Sequence, residues 1–431
     1  MFNKLAIQSL LNRKLSVALT VIALTVSMFV LLAVQQIKQQ SKQSFNRSIS
    51  GVELIVGAPT GQLNLLLSSV FHIGYLSKGI SWQSYQQISS HPQVKWTVPL
   101  SLGDSHKGFR VVGTNQHFYE YFKYGNKQSL NLKTGKWFSE SSSAQTQQVV
   151  LGAKVAQTLN YKVGDNLILS HGLGEISFSH HDNVNFVVSG IFTATGTPID
   201  QSLYVSLAGI ELMHDDQVHD QKVHVQKEHD EHEHQNANHE HDQEHQGENI
   251  DNISAMLVGV NAKYATLFVQ KFVNDFSHES LMAIVPGVAL TELWRLLSSI
   301  ENMLLVVSWL VLISSLIGMT TMLLSSLRER RREFAIFRSL GATSGFIFWL
   351  IELEVMLITF VSTVLAIVCC YGGALLAKPW LASQYNVFIE PVLIPTNSEY
   401  LLLAIWIMSL IVGVIPALSA YKQTLRSALT H

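Results

Sequence analysis

Nine of the chain's 18 histidines lie between Met213 and Ile250: His214, His219, His224, His229, His232, His234, His239, His241 and His245. Aspartates and glutamates are interspersed among them. Neutral imidazoles beside carboxylates suit Zn²⁺, Ni²⁺ or Cu²⁺, and they ligate only when unprotonated, so affinity falls at acid pH. The spacing is irregular, as in His229-x-x-His232-x-His234, and nothing fixes one tetrahedral set as a Cys₄ or Cys₂His₂ site does. The expectation is therefore several weak, exchangeable sites for zinc or another divalent metal, and no tightly bound cofactor. The tract, 213–250, holds almost no apolar residues. It cannot bury enough surface to offset ordering entropy, which predicts a disordered insertion. The alternative is a solvated loop that chelates metal incidentally. His171, His180 and His181 lie nearby in sequence and read as isolated surface histidines.

No other constellation points to catalysis. There is no G-x-x-x-x-G-K-[ST] phosphate loop, because Gly51–Gly57 is followed by Ala-Pro-Thr, so the backbone cradle and the phosphate-binding lysine are missing. H-E-x-x-H and G-x-S-x-G are also absent, so neither a helix-borne zinc site nor a nucleophile elbow is encoded. A net charge of −2 gives no sign of a nucleic-acid partner.

The elements that position the tract begin with four apolar runs. Residues 15–34, 303–324 and 400–420 carry no charge, and neither does Val355–Ala377 within a third run, 346–377. At about 1.5 Å per helical residue, each covers the roughly 30 Å hydrocarbon core of a bilayer. Lys4, Arg13 and Lys14 precede the first run, Arg328 to Arg338 follow the second, and Lys422 and Arg426 follow the last. The bias of Lys and Arg to the inside puts both termini in the cytoplasm. The first run exceeds the apolar part of a signal peptide and lacks a small-residue cleavage pattern, so it reads as an uncleaved anchor.

This topology gives a cytoplasmic N-terminal segment (1–14), a large extracytoplasmic region (35–298), a cytoplasmic segment (325–345), a short outer loop (378–399) and a cytoplasmic tail (421–431). Short β-rich runs mark the large region: Val52–Val56, Phe109–Val112, Gln148–Leu151, Leu167–Leu169, Phe186–Val188, Leu203–Val205 and Met256–Val260. With a helical pattern over Ala153–Leu159, they predict an α+β membrane protein whose outer domain packs mixed α and β. Gln35–Asn46 and Leu290–Glu301 read as helical extensions of the first and second spans, a stalk. Cys369 and Cys370, the only cysteines, are neighbours in the third span; they read as lipid-facing or packing residues, and the outer domain folds without disulfides.

Directly after the second span comes SSLRERRREFAIFRSLGATSGFIFWLI, residues 325–351. Phe334, Ile336 and Phe337 among the charges keep a helical character up to a stop at Leu340-Gly341. A short helix of this kind can dock on a soluble partner; the alternative is an ordinary loop whose charges only set the topology. Glu352 and Glu354 lie at the start of the third span, and the expectation is that they pair with the Arg328–Arg338 cluster.

Four segments together resemble the FtsX-like permeases of ABC transporters, particularly the MacB and LolC/LolE group. They are KLAIQSLLNRKLSVALTVIALTV (4–26), VLGAKVAQTLNYKVGDNLIL (150–169), RERRREFAIFRSLGA (328–342) and GVIPALSAYKQTLRSAL (413–429). The resemblance implies a cytoplasmic amphipathic entry helix (1–14), four spans with a MacB-like periplasmic domain (35–298) between the first and second, a bacterial inner-membrane location and a dimer of permease copies. It also implies a cytoplasmic ABC ATPase on a separate chain and admits a periplasmic partner protein. Its coupling segment falls on Arg328, Arg332, Glu333, Phe334, Ile336, Phe337, Arg338 and Gly341. The function so implied is that of a non-catalytic permease subunit and mechanical transmitter, which the histidine tract links to zinc or another divalent metal. Two alternatives stand beside it: release or export of a lipoprotein, peptide or amphiphile, and a transmitter regulating envelope enzymes. ELIVGAPTGQLNLLLSSVFHIG (53–74) is similar to a subgroup whose cargo the sequence does not name.

Deleting Met213–Glu248 is expected to leave the β-rich core folded while removing zinc binding. Calorimetric titration of the outer domain checks this: several sites should weaken as pH falls through about 6.5, and retention of all of them after the deletion excludes these histidines as ligands.

Overall fold

The computed structural model describes residues 8, 10, 13–74, 76, 78–139, 146–171, 185–213, 250–330, 333, 334, 336, 339, 341–384, 392–395 and 398–429. Two compact units emerge, one built on Gln43–Arg295 and the other on the membrane-type helices.

Among the described residues four helices are long and apolar enough to cross a membrane: α1 (Lys14–Ser48), α7 (Pro286–Glu329), α8 (Ser344–Gln384) and α9 (Ser398–Leu429). The 35 residues of α1 and the 44 of α7 correspond to about 52 and 66 Å, well beyond a bilayer core. The extensions predicted at Gln35–Asn46 and Leu290–Glu301 are thus continuous with their spans. Lys38 of α1 and Glu301 of α7 form an ion pair at 2.8 Å in these extensions. In α8, Lys378 ends the apolar stretch but not the helix, which runs on to Gln384, because a charge marks the limit of hydrocarbon and not of the backbone ladder. The short loop expected from 378 therefore starts later.

Leu24, Met28 and Leu31 of α1, Leu312, Leu316 and Met319 of α7, Val355 and Ile358 of α8 and Ile405 of α9 form one buried cluster. Lipid tails are as apolar as leucine, so small polar contacts contribute to helix association. Ser27 meets Ser315 at 2.6 Å, Ser362 donates to the Val21 carbonyl, and Thr359 meets Ser409. Cys370 is buried and donates to Gln36 Oε1 at 2.9 Å, while Cys369 is exposed.

In the other unit a mixed sheet contains strands β1 (Leu54–Gly57), β2 (Val94–His106), β3 (Phe109–Thr114), β4 (Leu132–Gly135), β5 (Thr146–Leu151), β6 (Asn185–Phe192), β7 (Ser202–Ser206), β8 (Ala255–Val260) and β9 (Met282–Ile284). Their order is β9-β1-β8-β2-β3-β7-β5-β6-β4, with two short strands, Asn166–Leu167 and Ser170–His171, attached to β6 and β2. Pairs β5–β6 and β3–β7 are parallel. Helices α2 (Gln62–Val70), α3 (Trp82–Ser89), α4 (Gln116–Tyr121), α5 (Ala153–Leu159) and α6 (Ala265–Asn274) complete the unit. Strands β1, β7 and β8 are buried at every position, as their unbroken apolar runs require. On one face Leu65 and Leu66 of α2 and Phe118 of α4 pack with Phe192 and Tyr204; on the other, Ile88 of α3 and Val269 and Val273 of α6 pack with Met256 and Val258.

Strand β2 alternates cleanly from Val94 through Trp96, Val98 and Leu100 to Leu102, but Pro99 and Gly103 read as strand breakers and Asp104 ends the alternation. Its register with β3 shifts between Leu102 and Ser105, a bulge that absorbs the irregularity. Of the predicted run Leu167–Leu169 only Leu167 is in a strand.

Gly152, between β5 and α5, donates its N–H to the Ser202 carbonyl at 2.9 Å. A Cβ there would lie 2.4 Å from the Ile199 carbonyl oxygen and 2.5 Å from that of Asp200. Those carbonyls cannot yield, because the Asp200 carboxylate, 1% exposed, accepts from the Thr195 and Gly196 N–H groups at 2.9 and 2.8 Å. Gly152→Ala is therefore expected to destabilise this unit by about 3 kcal/mol, the upper range for overpacking, measured as a shifted denaturant midpoint. A change within 0.5 kcal/mol, the range of surface substitutions, would refute the close approach.

Candidate functional site

The charged turn between α7 and α8 is organised by one arginine. Backbone helicity persists past Glu329, where Arg330 N donates to the Ser326 carbonyl and Phe334 N to the Arg330 carbonyl. That places Arg330 at the inner face of the turn, 5% exposed. Its Nη1 donates to Glu354 Oε1 at 2.8 Å and its Nε to Glu333 Oε2 at 2.9 Å. The guanidinium also lies over the Phe334 ring, 5.1 Å from the centroid. Phe334 is buried with Leu327, Ile347, Ile351, Ala417 and Ala420. Arg13 of the segment before α1 donates to the Ser326 carbonyl at 3.0 Å and faces Glu329 at 3.6 Å.

The predicted coupling residues therefore divide. Phe334 points into the bundle, and Glu333 joins Arg330 while half exposed. Arg328 and Ile336 are exposed, and Gly341 takes φ +90°, a left-handed turn that suits glycine. Arg332, Phe337 and Arg338 lie outside the described residues. Arg330 was not singled out in sequence, where five arginines crowd together and only burial distinguishes one. The expected pairing of carboxylates with this cluster is seen for Glu354, and among the described residues Glu352 has no such partner. Glu352 is 4% exposed, and neither of its oxygens has a hydrogen-bond partner.

All nine tract histidines, His214 to His245, lie outside the described residues, as do His180 and His181. Among the described residues no group of three or more His, Cys, Asp or Glu is placed to hold a metal ion. Among the described residues the large unit contains a hollow of about 110 Å³ lined by Ser68, His72, Gly74, Leu102 and Arg110 among others. His72 takes a left-handed φ of 55° and its Nδ1 lies 2.8 Å from Ser202 Oγ. Burial and then the Arg110 charge lower its pKa to about 4, so the ring is neutral at pH 7. Burial likewise lowers the pKa of His106, whose Nδ1 lies 2.7 Å from the Ile168 carbonyl. Both therefore read as neutral hydrogen-bonding groups.

A family model of the MacB-like periplasmic core domain matches residues 17–235, and one of the FtsX-like permease C-terminal region matches residues 305–425. Among solved structures, the periplasmic region of MacB from Actinobacillus actinomycetemcomitans is similar at 12% identity and a TM-score of 0.33. That similarity covers 57% of this chain and 94% of that one. The extracellular domain of the noncanonic ABC-type transporter YknZ from Gram-positive bacteria is similar at 10% identity and a TM-score of 0.30, covering 54% of this chain and 98% of that one. No curated protein matches the chain. The molecule is a multi-pass membrane protein with a mixed α/β domain between its first and second spans. It belongs to the FtsX/MacB-like family of ABC permeases.

Removing the charge from Arg330 takes from the buried Glu354 carboxylate its ion-pair partner at 2.8 Å. Arg330→Met is expected to destabilise the helix bundle by about 3–5 kcal/mol, the range for breaking a buried pair. The double substitution Arg330→Met/Glu354→Leu should recover most of the loss. Thermal unfolding in detergent checks both, and equal instability of the single and double variants would rule out the pair as the organising contact.

Proposed function

We propose that this chain is the permease subunit of an ABC-type system in a bacterial inner membrane, with both termini cytoplasmic and no catalytic site of its own. A separate ATPase chain docks at the segment between α7 and α8, and ATP hydrolysis there moves the large periplasmic domain. The observation that carries this reading is the construction of the segment. Arg330 and Phe334 lock its root into the bundle, while Arg328 and Ile336 stay exposed beside it. A root fixed in this way turns a push on the exposed side into displacement of α7. Helix α7 is continuous from Pro286 to Glu329, so such a displacement is passed along one backbone. Lys38 with Glu301, and Phe45 with Trp294 at a ring distance of 5.4 Å, tie α1 to α7, so the two rods move together. Family membership supports a second permease copy and a periplasmic partner as further components.

The metal link rests on the composition of residues 213–250. In this reading the tract collects zinc or a similar divalent ion near the membrane and the permease handles a metal-dependent cargo. Release of a lipoprotein, peptide or amphiphile remains the outcome to expect if the tract proves dispensable.

The purified chain is expected to hydrolyse no ATP, yet to form a stable complex with its ATPase partner. Replacing Glu333 and Phe334 together should leave that partner's basal turnover intact while abolishing its stimulation by the permease. ATP turnover by the isolated chain above a contaminant control, or full stimulation in the double variant, would overturn the reading.

A further inference from the structure

Glu352 sits on α8 within the third membrane-type helix, 4% exposed, and both carboxyl oxygens lack a hydrogen-bond partner. Across from it on α9 is Gly413. A Cβ added there would lie 2.9 Å from Glu352 Oε2 and 3.1 Å from both Val355 methyl carbons. Glycine at this point gives the carboxyl its room. Three residues later comes Pro416, inside the same helix. Proline has no N–H, so the Val412 carbonyl, next to Gly413, loses its helical donor. An acceptor that lacks a donor therefore adjoins a carboxyl group that lacks a partner.

The charges around Glu352 are already engaged. On its own helix Glu354 is held by Arg330, which Glu333 also holds. Arg13, from the segment before α1, is directed to Ser326 and Glu329. The buried residues of α9 nearest in sequence, Ser409, Gly413, Ala417 and Ala420, bear no charge. The buried residues near the end of α7, Leu323, Ser326 and Leu327, bear none either. Among the described residues an ionised carboxylate in such a place has neither hydrogen bond nor counter-charge, and burial of that kind is strongly unfavourable. A metal ion would need several further oxygen ligands, whereas a proton needs only the carboxyl itself.

We propose that Glu352 is a proton-binding site in the helix bundle: it holds a proton in the packed state and presents its O–H to the backbone opened by Pro416. The proton comes from water and returns to water when α8 and α9 part, leaving a hydrated carboxylate. Each chain then carries one proton whose uptake accompanies closure of this helix pair. The inference rests on the bundle alone and stands or falls independently of ATPase coupling.

Infrared difference spectroscopy of the full chain in lipid nanodiscs, with ¹³C-carboxyl glutamate, tests it. A protonated-carboxyl stretch assigned to glutamate is expected at pH 7, and it should be lost in Glu352→Gln, which keeps the shape of the neutral acid. Gly413→Ala alters no titratable group and should shift that band by crowding the carboxyl. A wild-type spectrum without a glutamate protonated-carboxyl band at pH 7, or a band that survives Glu352→Gln, would overturn the proposal. If Glu352→Gln does not fold, a band unmoved by Gly413→Ala does the same.

Discussion

Everything in this molecule depends on a backbone that must satisfy its own hydrogen bonds while it crosses about 30 Å of hydrocarbon. A helix is the open-chain solution, and α1 and α7 simply do not stop when the apolar stretch ends. Once a helix has formed across lipid, extending it adds one hydrogen bond per residue without a new nucleation step. The polar sequence of α1 beyond Val34 is therefore carried as helix, and its amphipathic character is spent on the neighbouring rod. Lys38 finds Glu301, and Phe45 finds Phe71 at 4.7 Å and Trp294 at 5.4 Å.

Charge is handled by the same economy of partners. Arg330 is tolerated in the interior because it meets two carboxylates and an aromatic face, which together replace the hydration it gives up. Its position fixes which side of the turn faces the bundle and which is left outside. Within the large domain, buried polar side chains follow the same rule: Asp200 replaces water with backbone N–H groups, and Thr114 donates to the Pro99 carbonyl at 2.8 Å.

The spans, their order and the mixed α/β domain were legible in sequence, because hydrophobic length and β-branched runs are local signals. Ala153–Leu159 forms a helix as its pattern requires, closed by Asn160 in a left-handed conformation. Strand β2 was hidden, since its Pro99 and Gly103 read as breakers until the partners β8 and β3 are known. The charged turn between α7 and α8 was recognisable from its charge run, but sequence spacing could not tell Arg330 from Arg331 or Arg332, nor reveal that Phe334 turns inward. For Glu352 and Glu354 the distinction is finer still. They are two residues apart, roughly 200° around a helix at 3.6 residues per turn, so one reaches the arginine and the other faces Gly413. Only the packed neighbours decide that.

Sheet order also sets a timetable for biogenesis. Strand β1 is flanked by β8 and β9, with Leu54 opposite Val258 and Ile55 opposite Ile284, so the first strand made pairs with the last two. Contacts of such sequence separation slow folding and leave edges open meanwhile. At about 5–20 residues per second, roughly 10–50 s of synthesis separate Ile55 from Ile284. Through that interval an apolar strand tethered to an inserted helix waits for its neighbours. The sheet closes only as α7 begins to emerge, so completion of the large domain and delivery of the second span to the membrane fall within the same short window.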